Sequence, residues 1–278
     1  MSTPVLGWIN GHWSEAKTLG LPLTDRGLQL ADGLFETVLI LNGDTQLLGL
    51  HLQRWQHSAA LLGMAPPPSQ SWLQPLIQEG IAKADLNGPG QAGALRLNWS
   101  RGETAVRGIA LPSGEPDRDA HCFWLTLQRH HPCFTPAMAW ISVEEQRNAS
   151  SRLSGCKTFA YGQAIQARRE AQSQGADLAL LRNTRGELCC GDSANLLVRR
   201  QGQWITPPLS SGCLPGVMRA RALEVGLAKE AHLGPNLQTE DQALLINSLS
   251  CRPLQRLNEQ ALQTCPNPQD LWLTLLDA

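Results

Sequence analysis

The stretch SGCKTFAYGQAIQARREAQSQG (residues 154–175) places a single lysine, Lys157, immediately before a segment that has the pattern of a small-residue helix. Gly175 is a typical helix stop at the end of that segment. Alanines recur before it at helical spacing: Ala160, Ala164, Ala167 and Ala171. A lysine at the start of such an element is either solvated, as most lysines are, or used for chemistry. The other motifs of the chain decide between these alternatives.

The composition restricts the class of protein. The chain has 278 residues, of which 42% are hydrophobic and 17% charged, which is enough to build a full core. Its formal net charge of -1 gives no field that would attract nucleic acid or an anionic membrane. No apolar run approaches the roughly 18 residues of a membrane span, and the N-terminal sequence lacks the basic start and apolar stretch of a signal peptide. We therefore expect a soluble, cytoplasmic protein whose partner is a small neutral or anionic molecule.

Eight cysteines could indicate a disulfide framework or a metal site, but their positions argue against both. Most are scattered along the chain, and the two that are adjacent, Cys189 and Cys190, do not form a C-x-x-C pair. The histidines also lack metal-ligand spacing. We expect reduced, buried thiols and no bound metal.

The two halves of the chain differ in pattern. The first half begins with strands around Asn-Gly turns at 10–11 and 42–43, which are typical of β-hairpins, and continues with two helices and two strands. The second half mixes helices and strands, and the segment HHPCFTPAM, with two prolines, is the candidate linker. We predict an α+β domain over 1–128, a linker over 129–136 and a larger mixed α/β domain over 137–278.

Three separate motifs offer groups that bind phosphate. In GCLPGVMR, Gly216, Val217 and Met218 form a turn at a predicted helix start, where backbone N–H groups favour an anion. In INSLS, Ser248 can donate its hydroxyl, and in HLQRW, Arg54 can pair bidentately with phosphate oxygens. Each motif is weak alone, because glycine turns usually only turn and helix arginines usually face water. Together with a lysine able to form a Schiff base, they suit pyridoxal phosphate.

The same motifs, in order along almost the whole chain, resemble those of a known family. They are LTDRGLQLADGLFET, HLQRW, KTFAYGQAIQARREAQSQGADLALLRNTRGEL, NLL, TPPLSSGCLPGVMR and INSL. The resemblance is to the fold-type IV, class IV pyridoxal-phosphate aminotransferases, which include branched-chain and D-amino-acid aminotransferases and aminodeoxychorismate lyases. It implies a homodimer with the site between its two domains, Lys157 as the Schiff-base lysine, and phosphate ligands at Arg54, Val217, Met218 and Ser248.

The choice among the members of this family depends on a loop. NWSRGETAVRGIA repeats an Arg-Gly pair, at Arg101 and Arg107, and is similar to the lyase and D-amino-acid branches. Two arginines suit a substrate with carboxylates, and aminodeoxychorismate has two, although a solvated loop arginine is an equal alternative for either. We therefore expect a 4-amino-4-deoxychorismate lyase that releases pyruvate and 4-aminobenzoate for folate synthesis. The alternatives are a transaminase of D- or branched-chain amino acids and a non-catalytic homologue that binds the cofactor or another ligand.

The sequence departs from the family pattern at one chemically important position. The family has a glutamate, which pairs with the pyridine nitrogen, five residues before an asparagine; counting back from Asn195 gives Cys190, while Glu187 and Asp192 lie near it. We favour Cys190 as the occupant, and keep open a local insertion that lets Glu187 serve. A thiol would hold the proton on the pyridine nitrogen less well than a carboxylate, so the cofactor ring would accept electrons less readily. This favours the lyase over transamination. A second departure, Ala31 in place of glycine, should matter little unless its φ is positive.

The resemblance also assigns roles in the reaction. Lys157 would carry the cofactor and then act as general base toward the substrate. Thr37, in the FET motif, lies where the lyases keep a hydroxyl and could relay a proton, although a plain strand threonine is as good an interpretation. Tyr161 could steady the cofactor ring or simply pack in the core.

Overall fold

The computed structural model describes residues 4–103, 108–111 and 113–277. These residues form two compact units. The first unit comprises the chain up to residue 131 together with 157–160, and the second comprises 132–156 and the chain from 161 onward. The boundary between the units, after residue 131, lies within the segment predicted as a linker. Nothing in the sequence indicated that residues 157–160 belong to the first unit.

The described residues of the first unit form a six-stranded antiparallel sheet with three α-helices, in the strand order β2-β1-β6-β5-β3-β4. Its elements are β1 (Leu6–Ile9), β2 (His12–Glu15), α1 (Arg26–Leu30), β3 (Gly33–Leu41), β4 (Asp44–Thr45), α2 (Leu48–Leu61), α3 (Gln70–Lys83), β5 (Ala92–Ser100) and β6 (Cys122–Arg129). The two predicted hairpins are confirmed as β1–β2 and β3–β4. Both residues of each Asn-Gly turn have positive φ, which is the backbone conformation that this turn chemistry provides.

The helix α2 packs against β3 through an apolar stripe on one of its faces. Leu52, Trp55 and Ala59 are buried on α2, and the central strand β3 is buried along most of its length. Burial of each large apolar side chain stabilises the fold by about 1.5–3 kcal/mol. This packing fixes the position of α2 over the sheet and therefore of the polar side chains that α2 carries.

Residues 157–159 run along the edge of the first-unit sheet beside β3. The N–H of Phe35 donates to the carbonyl of Lys157 (2.9 Å), and the N–H of Phe159 donates to the carbonyl of Gly33 (3.0 Å), so that Thr158 and Leu34 form an antiparallel bridge. The ring of Phe159 fills the space left by the missing side chain of Gly33, where a Cβ atom would lie only 2.1 Å from that ring. Lys157 is thus held by its main chain in an extended segment, ahead of the helix that follows.

The second unit is a nine-stranded sheet with three helices. Its elements are β7 (Ala137–Arg147), α4 (Gly162–Ser173), β8 (Leu178–Asn183), β9 (Leu188–Gly191), β10 (Asn195–Arg200), β11 (Gln203–Thr206), α5 (Val217–Glu224), β12 (Ala228–Glu230), β13 (Gln242–Asn247), β14 (Ser250–Leu257), β15 (Gln260–Ala261) and α6 (Pro268–Asp277). The strand order is β12-β11-β10-β13-β14-β7-β8-β9, with β15 beside β14. An additional pairing between β9 and β10, at Cys190 and Asn195, joins the end of this path back to its middle, so six of the strands close into a ring.

The small residues of α4 allow the helix to approach the sheet closely. Ala167 and Ala171 are fully buried against a cluster that includes Ala179 and Leu181 of β8. The predicted alanine stripe is therefore confirmed in the body of the helix. Ala160, however, is exposed and precedes the helix, which begins at Gly162.

The substitution at Ala31 falls where the backbone does favour glycine. Asp25 caps the start of α1 by accepting hydrogen bonds from the N–H groups of Gly27 and Leu28. The helix ends at Ala31 with φ of 55° and ψ of 26°, in the left-handed region that costs an L-residue about 1 kcal/mol. The condition under which this position matters is therefore met.

Within the described part of the chain, no helix combines the length and the apolar character that crossing a membrane requires.

Candidate active site

Lys157 is held over an aromatic ring in the first unit. Its Nζ lies 4.3 Å from the centroid of the Phe35 ring, and the residue is half-buried. The chain has four lysines, and the other three, Lys17, Lys83 and Lys229, are exposed. Lys157 is therefore the lysine whose surroundings differ from those of a solvated side chain.

A second cation, which the sequence did not single out, approaches the same ring. Cζ of Arg96 on β5 lies 3.5 Å from the centroid of the Phe35 ring, and its Nε donates to Oδ1 of Asn98 (2.7 Å). Thr37 lies directly opposite Arg96 in the β3–β5 ladder, and directly opposed residues project from the same face of a sheet. Phe35, Thr37 and Arg96 therefore share one face. The available sequence signal was a charged residue in the mostly apolar strand ALRLNWS.

Arg54 belongs to a buried network of charged groups on α2 and β3. Its Nε donates to Oε1 of Glu36 (2.8 Å), and its Nη2 donates to Oε2 of the same carboxylate. Nδ1 of His51 contacts that Oε2 at 2.7 Å. Glu36 and His51 were not predicted, although His51 and Arg54 are three residues apart and thus on one helix face.

The network determines the charge of its members. Burial alone would raise the pKa of the Glu36 carboxyl, but the positive charge of Arg54 and the hydrogen bonds from His51 and Arg54 outweigh it and lower the pKa to about 2. Burial lowers the pKa of His51, and the charges of Arg54 and Lys157 act in the same direction against the raising effect of Glu36. At neutral pH His51 is therefore neutral, and its Nδ1–H donates to the ionised Glu36.

These shifts predict that stability falls in acid. Below its unfolded-state pKa of about 6.5, His51 is protonated in the unfolded chain and remains neutral in the folded one, so the free energy of unfolding decreases by up to about 1.4 kcal/mol per pH unit. The stabilisation from Glu36 is present above pH about 4.3 and is lost as the pH falls from there toward 2. Urea unfolding of His51→Asn, which keeps a donor but does not titrate, should show a shallower loss of stability between pH 6.5 and 5 than the parent protein.

His57 provides the matched control for that measurement. It lies on the same helix and is exposed, so His57→Asn should leave the pH dependence of unfolding unchanged. If His51→Asn and the parent protein lose stability in parallel between pH 6.5 and 5, then His51 is not held neutral in the folded state.

Arg101 is used by the fold itself. Its Nε donates to Oδ2 of Asp32 (2.9 Å), its Nη1 to the carbonyl of Gly63 (2.7 Å) and its Nη2 to the carbonyl of Leu62 (3.0 Å). The guanidinium is buried and anchors the chain around Asp32 to the end of α2. These contacts do not support the predicted role in binding a substrate carboxylate, because every nitrogen already donates within the unit. Arg107, the other predicted substrate ligand, lies outside the described residues.

In the second unit, the start of α5 requires a residue without a side chain. Gly216 is the N-cap of α5, and a Cβ on it would lie 1.8 Å from Oδ1 of Asn195, whose Nδ2 donates to the carbonyl of Leu214 (2.9 Å). Among the described residues, no side chain caps this helix, so the N–H groups of Val217 and Met218 depend on other partners. A helix start of this kind suits an anion.

Cys190 and Ser248 occupy the neighbouring segments of the second unit. Cys190 pairs directly with Asn195 across β9 and β10, and the side chain of Asn195 in turn lies against Gly216. Ser248 is in the turn between β13 and β14, as its position at a strand end predicted.

The two carboxylates near Cys190 already have partners. Asp192 accepts hydrogen bonds from Nε and Nη2 of Arg168 and from the N–H of Ala179 (2.8 Å). Glu187 accepts from Nδ2 of Asn183 (2.7 Å) and lies 3.0 Å from Nδ1 of His232. Neither carboxylate can pair with the pyridine nitrogen of a cofactor without breaking one of these ion pairs or hydrogen bonds.

Cys190 also belongs to a group of thiols. Cys189, Cys190 and Cys213 are buried together in the cluster under α4. The hydrogen bond from Cys189 and the charges of Arg219 and Arg147 lower the pKa of Cys213 against the opposing effect of burial. Among the described residues, no set of three or more His, Cys, Asp or Glu side chains is arranged to hold a metal ion.

Comparisons with known proteins identify the group to which the chain is similar. The family model for amino-transferase class IV matches residues 33–257. The Schizosaccharomyces pombe protein named "Putative aminodeoxychorismate lyase" is 28% identical over 226 residues, which are 77% of this chain and 85% of that protein. The Mycobacterium tuberculosis "Bifunctional aminodeoxychorismate lyase / D-amino acid transaminase" is 27% identical over 76% of this chain and 75% of its own length.

A solved structure supports the same fold. The Legionella pneumophila structure titled "Putative 4-amino-4-deoxychorismate lyase" superposes with a TM-score of 0.81 and 25% sequence identity, covering 94% of this chain and 96% of its own. The expected fold-type IV architecture is thereby confirmed.

Proposed function

Because the chain belongs to the amino-transferase class IV family, whose cofactor is pyridoxal 5'-phosphate, we propose that it is a 4-amino-4-deoxychorismate lyase. The products would be pyruvate and 4-aminobenzoate. The proposal draws on the arrangement around Lys157, on the thiol at position 190, and on the names of the relatives with which the chain shares most of its length.

The residues present fit the cofactor. Lys157 supplies an amine that is half-buried and anchored through its main chain. Gly216 leaves a space at the start of α5 that a Cβ would fill, and Val217 and Met218 present N–H groups there. Arg54 carries a guanidinium whose orientation Glu36 sets. We propose that these groups, with Ser248, hold the aldehyde and phosphate ends of the cofactor.

Bound pyridoxal phosphate would supply an electron sink for charge that develops at the substrate carbon bearing the amine. The Nζ of Lys157 would hold the cofactor before the substrate binds, and once free of the cofactor it would accept the proton from that carbon. The bond between the ring and the enolpyruvyl oxygen breaks, the ring becomes aromatic, and enolpyruvate takes up a proton to give pyruvate. The guanidinium of Arg96 is suited to hold a substrate carboxylate on the face it shares with Phe35, and the hydroxyl of Thr37 is suited to relay a proton.

The observation that carries the choice of a lyase is the thiol of Cys190 beside Asn195. Asp192 and Glu187, the carboxylates that could take its place, are engaged by Arg168 and by Asn183 and His232. A neutral thiol stabilises a protonated ring nitrogen less well than a carboxylate does, which weakens the electron sink. Transamination needs that sink through two proton transfers, whereas the lyase gains aromaticity as the leaving group departs and tolerates a weaker one.

A transaminase of D- or branched-chain amino acids is the second candidate. The M. tuberculosis relative is named for both activities, so the two chemistries occur on one chain at this level of similarity.

A half-reaction experiment separates the two candidates. The holoenzyme is mixed with D-alanine, L-leucine or L-glutamate without a 2-oxo acid, and the visible absorption of the cofactor is followed. If the proposal is right, the absorption persists over the time in which aminodeoxychorismate is consumed. Rapid conversion of the cofactor to its amine form by any of these donors, with no pyruvate formed from aminodeoxychorismate, would establish the transaminase instead.

A further inference from the structure

Glu36 is an acid in an apolar position. It is fully buried on β3, between Leu34 and Val38, which are also fully buried. A carboxylate in such a place is costly unless it is paired and hydrogen-bonded, and even then a buried ion pair adds little net stability compared with apolar residues of similar size. Its presence in the core is therefore better explained by what it does to its partners than by stabilisation of the fold.

The geometry of the pairing fixes one side chain in particular. Glu36 takes Nε–H and one Nη2–H of Arg54 as two parallel donors, and this two-pronged contact sets both the position and the plane of the guanidinium. The opposite edge, which carries Nη1 and the second Nη2 proton, is thereby directed away from Glu36. His51, one turn before Arg54, donates to Oε2 and holds the carboxylate itself in place.

We propose that Glu36 is a positioning residue that aims the outer edge of the Arg54 guanidinium at the phosphate of the cofactor, with His51 fixing Glu36. This inference rests on the proposed role of Arg54 as a phosphate ligand. It predicts that loss of Glu36 weakens recognition of the phosphate more than of the rest of the cofactor, because Glu36 pairs with Arg54, the proposed phosphate ligand.

The test compares the dissociation constants of pyridoxal 5'-phosphate and pyridoxal, which lacks the phosphate, for the full chain freed of cofactor. The ratio of the two constants reports the contribution of the phosphate. We expect Glu36→Gln to weaken binding of pyridoxal 5'-phosphate about tenfold or more and to change binding of pyridoxal less than about threefold. If Glu36→Gln weakens binding of both ligands by the same factor, Glu36 is a structural residue only. If it weakens binding of neither ligand, Glu36 has no role in binding the cofactor. Either result overturns the proposal.

A second pair of variants keeps the test valid if Glu36→Gln does not fold. His51→Ala removes the donor to Glu36, whereas His51→Asn keeps an amide N–H near the position of Nδ1. We expect His51→Ala to shift the ratio in the same direction by a few-fold and His51→Asn to leave it near that of the parent chain. Equal ratios for these two variants would contradict the proposal. The ratio does not depend on turnover, so a protein that proved to be a transaminase would leave it intact, and a failed ratio would leave the lyase assay unaffected.

Discussion

Replacing Lys157 with alanine should abolish turnover and remove the visible absorption of the bound cofactor. The amine is the group proposed both to bind the aldehyde of the cofactor and to move the proton at the substrate carbon. Loss of a general base alone typically lowers the rate by about 10²–10⁴-fold, and loss of covalent attachment adds to it. The measurement is the absorption spectrum after addition of pyridoxal 5'-phosphate, together with the rate of pyruvate release.

The fold should survive this substitution, which makes the result interpretable. The segment is held by main-chain hydrogen bonds between Lys157, Phe35, Phe159 and Gly33, and these do not use the lysine side chain. Lys157→Arg keeps a cation over the Phe35 ring and should be equally inactive, while Lys83→Ala, on the exposed side of α3, should behave as the parent protein. A Lys157→Ala protein that retains colour and activity would show that the chemistry is elsewhere.

Replacing Gly216 with alanine should weaken cofactor binding strongly. The new Cβ would lie 1.8 Å from Oδ1 of Asn195, which is itself anchored to Leu214, so the start of α5 must move. Overpacking of this kind typically costs about 1–3 kcal/mol. If that cost falls on the phosphate-binding N–H groups, it corresponds to about a 5–150-fold loss of affinity. The measurement is the dissociation constant of pyridoxal 5'-phosphate.

Gly162→Ala is the matched control for Gly216→Ala. Gly162 is the first residue of α4, is exposed, and would place its Cβ with nothing within 4 Å. It should bind the cofactor as the parent protein does. Unchanged cofactor affinity in Gly216→Ala would mean that the start of α5 does not hold the phosphate.

Local patterns predicted the elements but not how distant segments meet. The Asn-Gly turns predicted the first two hairpins correctly, because the cause of a hairpin turn lies within a few residues. The pairing of Lys157 with Phe35 joins segments more than 120 residues apart, and nothing in the small-residue pattern around Lys157 indicates a strand partner. The lysine is therefore evident from the sequence, whereas the strand that holds it is not.

The charged residues illustrate the same limit. Arg54 and Arg101 were both predicted from the sequence to bind an anionic group of a ligand. In the structure Arg54 pairs with the buried carboxylate of Glu36, and the three nitrogens of Arg101 donate to Asp32 and to carbonyls of the chain. Which arginine can serve a ligand depends on the partners brought by folding. Arg96 was missed for the converse reason, because its position over Phe35 appears only when β3 and β5 are paired.

The proposed lyase activity is decided by measuring pyruvate and 4-aminobenzoate together as the purified holoenzyme consumes 4-amino-4-deoxychorismate with no added 2-oxo acid. A lyase that works through Lys157 releases the two products in equal amounts, and the Lys157→Ala protein releases neither. Absence of both products from a protein that carries the cofactor and readily exchanges amino groups between amino acids and 2-oxo acids would contradict the account.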